Sequence, residues 1–217
     1  TDVALQKART AAFFSNPKAS ASLLADADPG VAPVVAATRT FLRDSAALTG
    51  KTAFSNRAVG LLARPYFPDG EVGRPNGPLS VPIAQFSPFA TGLQTTLIAR
   101  TLVPAPPTCT RVPAAPSGQQ RLANGMQIFP GSVPLYRGNQ LVGAIGVSGD
   151  GIDQDDMIAF LGANNGGKKA GTIGNAPKAM RADRIVVKVG VGTRLRYVNC
   201  PFAPFVDTSA QNVCDGL

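Results

Sequence analysis

Val133-Pro134-Leu135-Tyr136-Arg137-Gly138-Asn139-Gln140-Leu141-Val142-Gly143-Ala144-Ile145-Gly146-Val147 decides the fold class of this chain. Two apolar runs flank Gly138-Asn139, a pair suited to the positive φ angles of a two-residue hairpin turn, so the stretch predicts a β-hairpin. Its second strand carries Gly143 and Gly146, and glycine inside a strand marks close approach by another backbone or by a flat ligand. Beyond the hairpin, Ser148-Gly149-Asp150-Gly151-Ile152 reads as a glycine turn. Asp153-Gln154-Asp155-Asp156-Met157-Ile158-Ala159-Phe160-Leu161 then reads as a helix with an aspartate cap and acidic residues at its positive end. Upstream, residues 2–15 predict a helix stopped by Asn16-Pro17. Residues 31–48 place Val34, Val35, Phe41, Leu42 and Leu48 on a broad apolar stripe, a second helical stretch ending near Gly50. Ile185-Val186-Val187-Lys188-Val189 reads as a strand.

Between Ala53 and Gly125 no period persists. Prolines at 65, 68, 75, 78, 82, 88, 104, 106, 107, 113 and 116 break any long element, although Leu93 to Val103 has the composition of short strands. A stretch of this length inside a compact domain is either functional or laid against a partner. The chain thus divides into a domain over residues 1–165, with a Pro-rich insertion at about 50–125, and a basic extension over 166–217.

Composition narrows the chemistry. Of 217 residues 44% are hydrophobic and 16% charged, which fits a globular chain rather than a disordered tail or a coiled coil. No apolar run nears the ~20 residues that a membrane-spanning helix needs. There is no His, which excludes a Ser-His-Asp triad, a Cys-His pair and any His-ligated zinc or haem drawn from this chain alone. The net charge is +8, and between Lys168 and Arg196 eight basic residues stand against Asp183 alone. That run is either a solvated basic surface or a contact for an acidic partner or an anionic cofactor. Without interleaved aromatics or a nucleic-acid motif, no nucleic-acid partner is expected.

Cys200 and Cys214 bracket a segment with neither helical nor strand period, and a disulfide there would staple it. Paired, they place the protein in the periplasm or outside the cell; unpaired, they are two thiols. Cys109 is left over, either free or bridging to another chain. A chain that starts at Thr1 without Met reads as a processed product. Thr1 could serve as an N-terminal nucleophile with its own amine as base, but the residues after it read as a helix, so a helix cap is the simpler role. Asp150, Asp153, Asp155 and Asp156 do not match a calcium loop, and capping explains the last three without a metal. No metal site is expected; the weak candidate ligands are Tyr136, Met126, Asp150 and Asp153.

The order of the pieces carries a resemblance. Lys7-Ala8-Arg9-Thr10-Ala11, within Asp2–Phe14, resembles the Lys-Ala-x-Thr-Ala helix of the GlcG/HbpS-like family, which includes haem-binding proteins and the C-terminal domain of PduO-type proteins. Phe129-Pro130-Gly131-Ser132-Val133-Pro134-Leu135 resembles its Pro-Gly-Gly-x-Pro motif, and Gly146-Val147-Ser148-Gly149, running on to Gln154-Asp155, its Gly-x-Ser-Gly motif. The resemblance implies an α/β domain, an antiparallel sheet flanked by helices, frequently oligomeric. A family domain begins with a helix and a strand pair that this chain lacks, so the resemblance implies a second polypeptide completing the sheet. It also implies haem as a possible cofactor. Without His, the ligands left are Tyr66, Tyr136, Tyr197, Met126, Met157, Met180 and the thiolates, residue types that equally build cores.

The expected function is an exported, non-catalytic binding or assembly subunit for haem or another small anionic ligand. The expected ligand pocket lies between Lys7 and Arg9, the Pro130-Gly131-Ser132 loop and the Ser148-Gly149 turn, with the amides of Gly131 and Gly149 holding carboxylate or phosphate. The same residues also suit a plain structural role, glycines for turns and a lysine on a helix face. Two alternatives stand beside this reading. One is an enzyme subunit, including an autoprocessed hydrolase using Thr1. The other is a structural subunit clamping a redox enzyme.

Overall fold

A computed structural model describes residues 2–26, 31–63, 77–79, 127–187 and 193–217. Expectations for Thr1, Tyr66, Cys109, Met126 and the segment Leu93 to Val103 lie outside the described residues.

Helix α1 (Asp2–Phe14) closes where Asn16-Pro17 stops it. A short α2 (Ala19–Leu24) follows, then α3 (Pro33–Leu42), with Pro in its first turn and Arg43 in the left-handed conformation (φ 52°) at its C-cap. The left-handed Arg43 ends α3 well before Gly50; the residues beyond it form turns, one fixed by Asp44 Oδ1 accepting the amide of Ala46. Helix α4 (Asn56–Ala63) stands where no period was expected. Ser55 starts it as an N-cap whose Oγ accepts the Ala58 amide.

The predicted hairpin is β1 (Ser132–Arg137) and β2 (Gln140–Gly146), antiparallel, with Gly138 at φ +56° in its turn. Helix α5 (Ile152–Ala170) runs through Gly166-Gly167 and ends on left-handed Gly171. The chain then returns as β3 (Gly174–Asn175), antiparallel on the other side of β1, for a sheet order β2-β1-β3. Gly146 faces α1 and Ile145 reaches Gly162 of α5. Successive strand residues point to opposite faces, so α1 and α5 cover the two sides of the sheet. The fold is α/β, an antiparallel sheet flanked by helices.

The apolar core continues from the sheet into the helices. Phe14 packs edge-on against Phe13 (5.6 Å) and Phe54 (6.5 Å), amid Leu23, Val35, Leu48, Val59 and Leu62. Burying each such side chain stabilises the fold by roughly 1.5–3 kcal/mol. The C-terminal region docks on this body through a parallel bridge, Ala53 to Arg181, and through the Ser55 hydroxyl donating to the Tyr197 carbonyl. It contains 3-10 turns at Lys178–Met180 and Ala182–Arg184, a two-residue ladder of β4 (Val186–Val187) with β5 (Thr193–Arg194), and the Cys200–Cys214 disulfide. No helix among the described residues is long and apolar enough to cross a membrane.

Candidate functional site

The chemistry gathers where α5 begins. Gly151 occupies the N-cap with no side-chain cap bond, so the expected aspartate cap is absent. The first-turn carboxylates turn instead to cations and amides from distant segments. Asp155 Oδ2 accepts from Lys7 Nζ at 2.8 Å and its Oδ1 accepts the Gly149 amide at 2.8 Å. Lys7 is only 3% exposed, so this pair is a buried ion pair. Asp156, fully buried, accepts from Arg57 Nε at 2.6 Å and the Asn199 amide at 3.0 Å on Oδ2, and from the Gly131 amide at 2.8 Å on Oδ1. Arg57 Nη2 donates to Asp153 Oδ1 at 2.5 Å, and Asn199 Nδ2 donates to Asp153 Oδ2 at 3.1 Å.

The loop before β1 enters the same network. Asn56 Nδ2 donates to the carbonyls of Gln127 and Phe129, while the Gln127 backbone amide donates to the Thr10 hydroxyl oxygen. Gly131 is indispensable at this junction. Its φ is +122°, and a Cβ there would stand 2.5 Å from the Val147 carbonyl, 2.7 Å from Asp155 Cβ and 2.9 Å from Lys7 Nζ.

Burial sets the electrostatics. Desolvation pushes the Asp156 carboxyl up to about 6, against the downward pull of the Arg57 guanidinium and of the Asn199 and Gly131 amides. Removing a buried carboxylate from water is costly, and the donors around Asp156 offset only part of that cost. Burial likewise raises Tyr136 and Tyr197, and lowers Arg9.

The structure brings Lys7, Gly131 and Gly149 together at this corner, with the buried Pro130 and Ser132 adjoining in the chain. The Gly131 and Gly149 amides and the Lys7 ammonium hold the protein's own carboxylates, Asp156 and Asp155. Arg9 is not at the corner. Two residues past Lys7 on α1, it lines a groove of about 320 Å³ with Phe13, Asn16 and Lys18. Ser148, Gly149 and Asp150 are exposed, and Tyr136 is buried in β1. Among the described residues no group of three or more His, Cys, Asp or Glu is placed to hold a metal. The sequence reading missed Arg57, Asn56 and Asn199. The dense aspartates were a visible signal, but their partners lie on remote segments. The glycine reading of β2 resolves too: a Cβ on Gly146 would lie 2.0 Å from the Ala4 carbonyl, so the close neighbour there is α1 itself.

Residues 86–164 match the model of the HbpS-like family, haem degrading protein HbpS-like. The matched range holds β1, β2 and most of α5, begins inside the Pro-rich stretch, and does not reach α1. It bears out the family resemblance over that range. No curated protein and no solved structure matches the chain.

Proposed function

We propose that this chain is a non-catalytic binding or assembly subunit for haem or another small anionic ligand, working outside the cytoplasm in a larger complex. The match of residues 86–164 to a haem-related family carries the reading. The Cys200–Cys214 disulfide supports export, since such bonds persist in oxidising compartments.

The α5 corner does not fit haem. Its ammonium and amides are taken by Asp155 and Asp156, and the chain has no His. Tyr136 and Met157 are buried in the packed core, and the Tyr197 ring lies under the Arg181 guanidinium. No contact between haem and this corner is therefore derived. On this reading the corner is a clamp joining α1, α4, α5 and the C-terminal segment. Ser148 and Gly149 are the candidate residues of the corner exposed to solvent.

Native mass spectrometry of the full chain with added hemin, run beside Soret absorption, tests the reading. The expected result is one saturable haem per site in an assembly that contains a second polypeptide or a second copy. Unsaturable uptake of hemin overturns the haem reading. An assembly without ligand supports the structural-subunit alternative, which the saturated donors of the corner favour.

A further inference from the structure

A second cavity lies beside the α5 corner, in the C-terminal region, with Asn199 in its lining. It encloses about 420 Å³ between the 3-10 turns, β5 and the disulfide-closed tail. Four cations line it, Lys178, Arg181, Arg184 and Arg194, against the side-chain carboxylates of Asp183 and Asp215. Lys178, Arg181 and Arg194 donate to backbone oxygens. Lys178 Nζ donates to Gly216 O at 2.5 Å, Arg194 Nη1 to Asp183 O at 3.0 Å, and Arg181 to Ala176 O and Leu217 O, both at 2.9 Å. Among the described residues none of the four forms a salt bridge with an Asp or Glu side chain. A carbonyl orients a cation without cancelling its charge, and each of these side chains keeps further N–H donors.

The cleft is also shaped in advance. The Arg181 guanidinium lies over the rings of Phe160 (5.0 Å) and Tyr197 (5.5 Å), which hold its plane in place. Both disulfide cysteines line the cavity, so the covalent staple fixes one wall. We propose that this cleft is a binding site for a small multivalent oxyanion, held by carboxylate or phosphate oxygens between Arg181, Arg184, Arg194 and Lys178. The volume exceeds one phosphate group and suits a compact di- or tri-anion with its waters. The inference is independent of haem binding.

Isothermal titration of the full chain with pyrophosphate and, separately, with citrate tests it. The expected result is saturable one-to-one binding of at least one anion, weakened tenfold or more in Arg184→Gln/Arg194→Gln. Both residues are exposed, and an unchanged melting temperature checks that the variant folds. Lys168→Gln/Lys169→Gln, at the far end of α5, should bind as the parent does. Pyrophosphate alone assigns the site to phosphates, citrate alone to carboxylates, and either supports the proposal. No saturable heat with either anion, or an equal loss in the Lys168/Lys169 control, overturns it.

Discussion

Glycine 146 shows how one missing side chain sets a packing distance. A Cβ there would lie 2.0 Å from the Ala4 carbonyl and 2.7 Å from the Ala8 amide, both backbone atoms of α1. Gly146→Ala should therefore destabilise the protein by about 1–3 kcal/mol in urea unfolding, as overpacked sites do. Gly143→Ala, where nothing lies within 4 Å, should stay within about 0.5 kcal/mol of the parent. Asp156 gives a pH prediction. Its carboxyl is raised from 3.8 to about 6 in the folded protein, so the folded state holds that proton more tightly than the unfolded chain. Its contribution to stability is full below about pH 4, falls as pH rises to about 6, and is constant above. The slope reaches at most about 1.4 kcal/mol per pH unit. Stability measured from pH 4 to 7 should show this descending limb in the parent, and Asp156→Asn should lack it. Identical profiles would mean that another group titrates there.

At the scale of elements, local signals were sufficient where the neighbours are close in sequence. The hairpin and α1 follow from adjacent residues. Helix α4 was missed because prolines from residue 65 onward obscure its eight residues, whose apolar side is satisfied by α1 and β1. Helix α5 runs through Gly166-Gly167, and Gly167 lies beneath the returning chain: a Cβ there would be 2.3 Å from the Ile173 carbonyl. Gly167 serves packing, whereas nothing lies within 4 Å of a Cβ on Gly166. The disulfide closes a loop with a sequence separation of 14, worth about 3 kcal/mol by chain entropy. Asn199, beside Cys200, is bonded to Asp153 and Asp156, so the staple also supports the buried cluster. Cys200→Ser/Cys214→Ser should lower the melting temperature, and reductant should lower the parent to the same value. A variant as stable as the parent would show that non-covalent contacts alone hold the tail.

For the whole molecule, two buried cations join segments that sequence order keeps far apart. Lys7 meets Asp155 across 148 residues, and Arg57 meets Asp156 across 99. With the Asn199 contacts they tie α1, α4, the strand-entry loop, α5 and the C-terminal tail into one body. The sequence by itself determined the hairpin turn at Gly138-Asn139, the first helix and the lack of histidine, while the α/β class came from motifs that resemble a family. Those features depend on composition and on neighbours within one or two turns of chain. Only the tertiary structure decided what the aspartates of α5 do, that α1 fills the space beside Gly146, and that the basic C-terminal run lines a cleft. The reason is physical: an ion pair or a close backbone approach depends on distance in space. Residue spacing reports that distance only inside a single element.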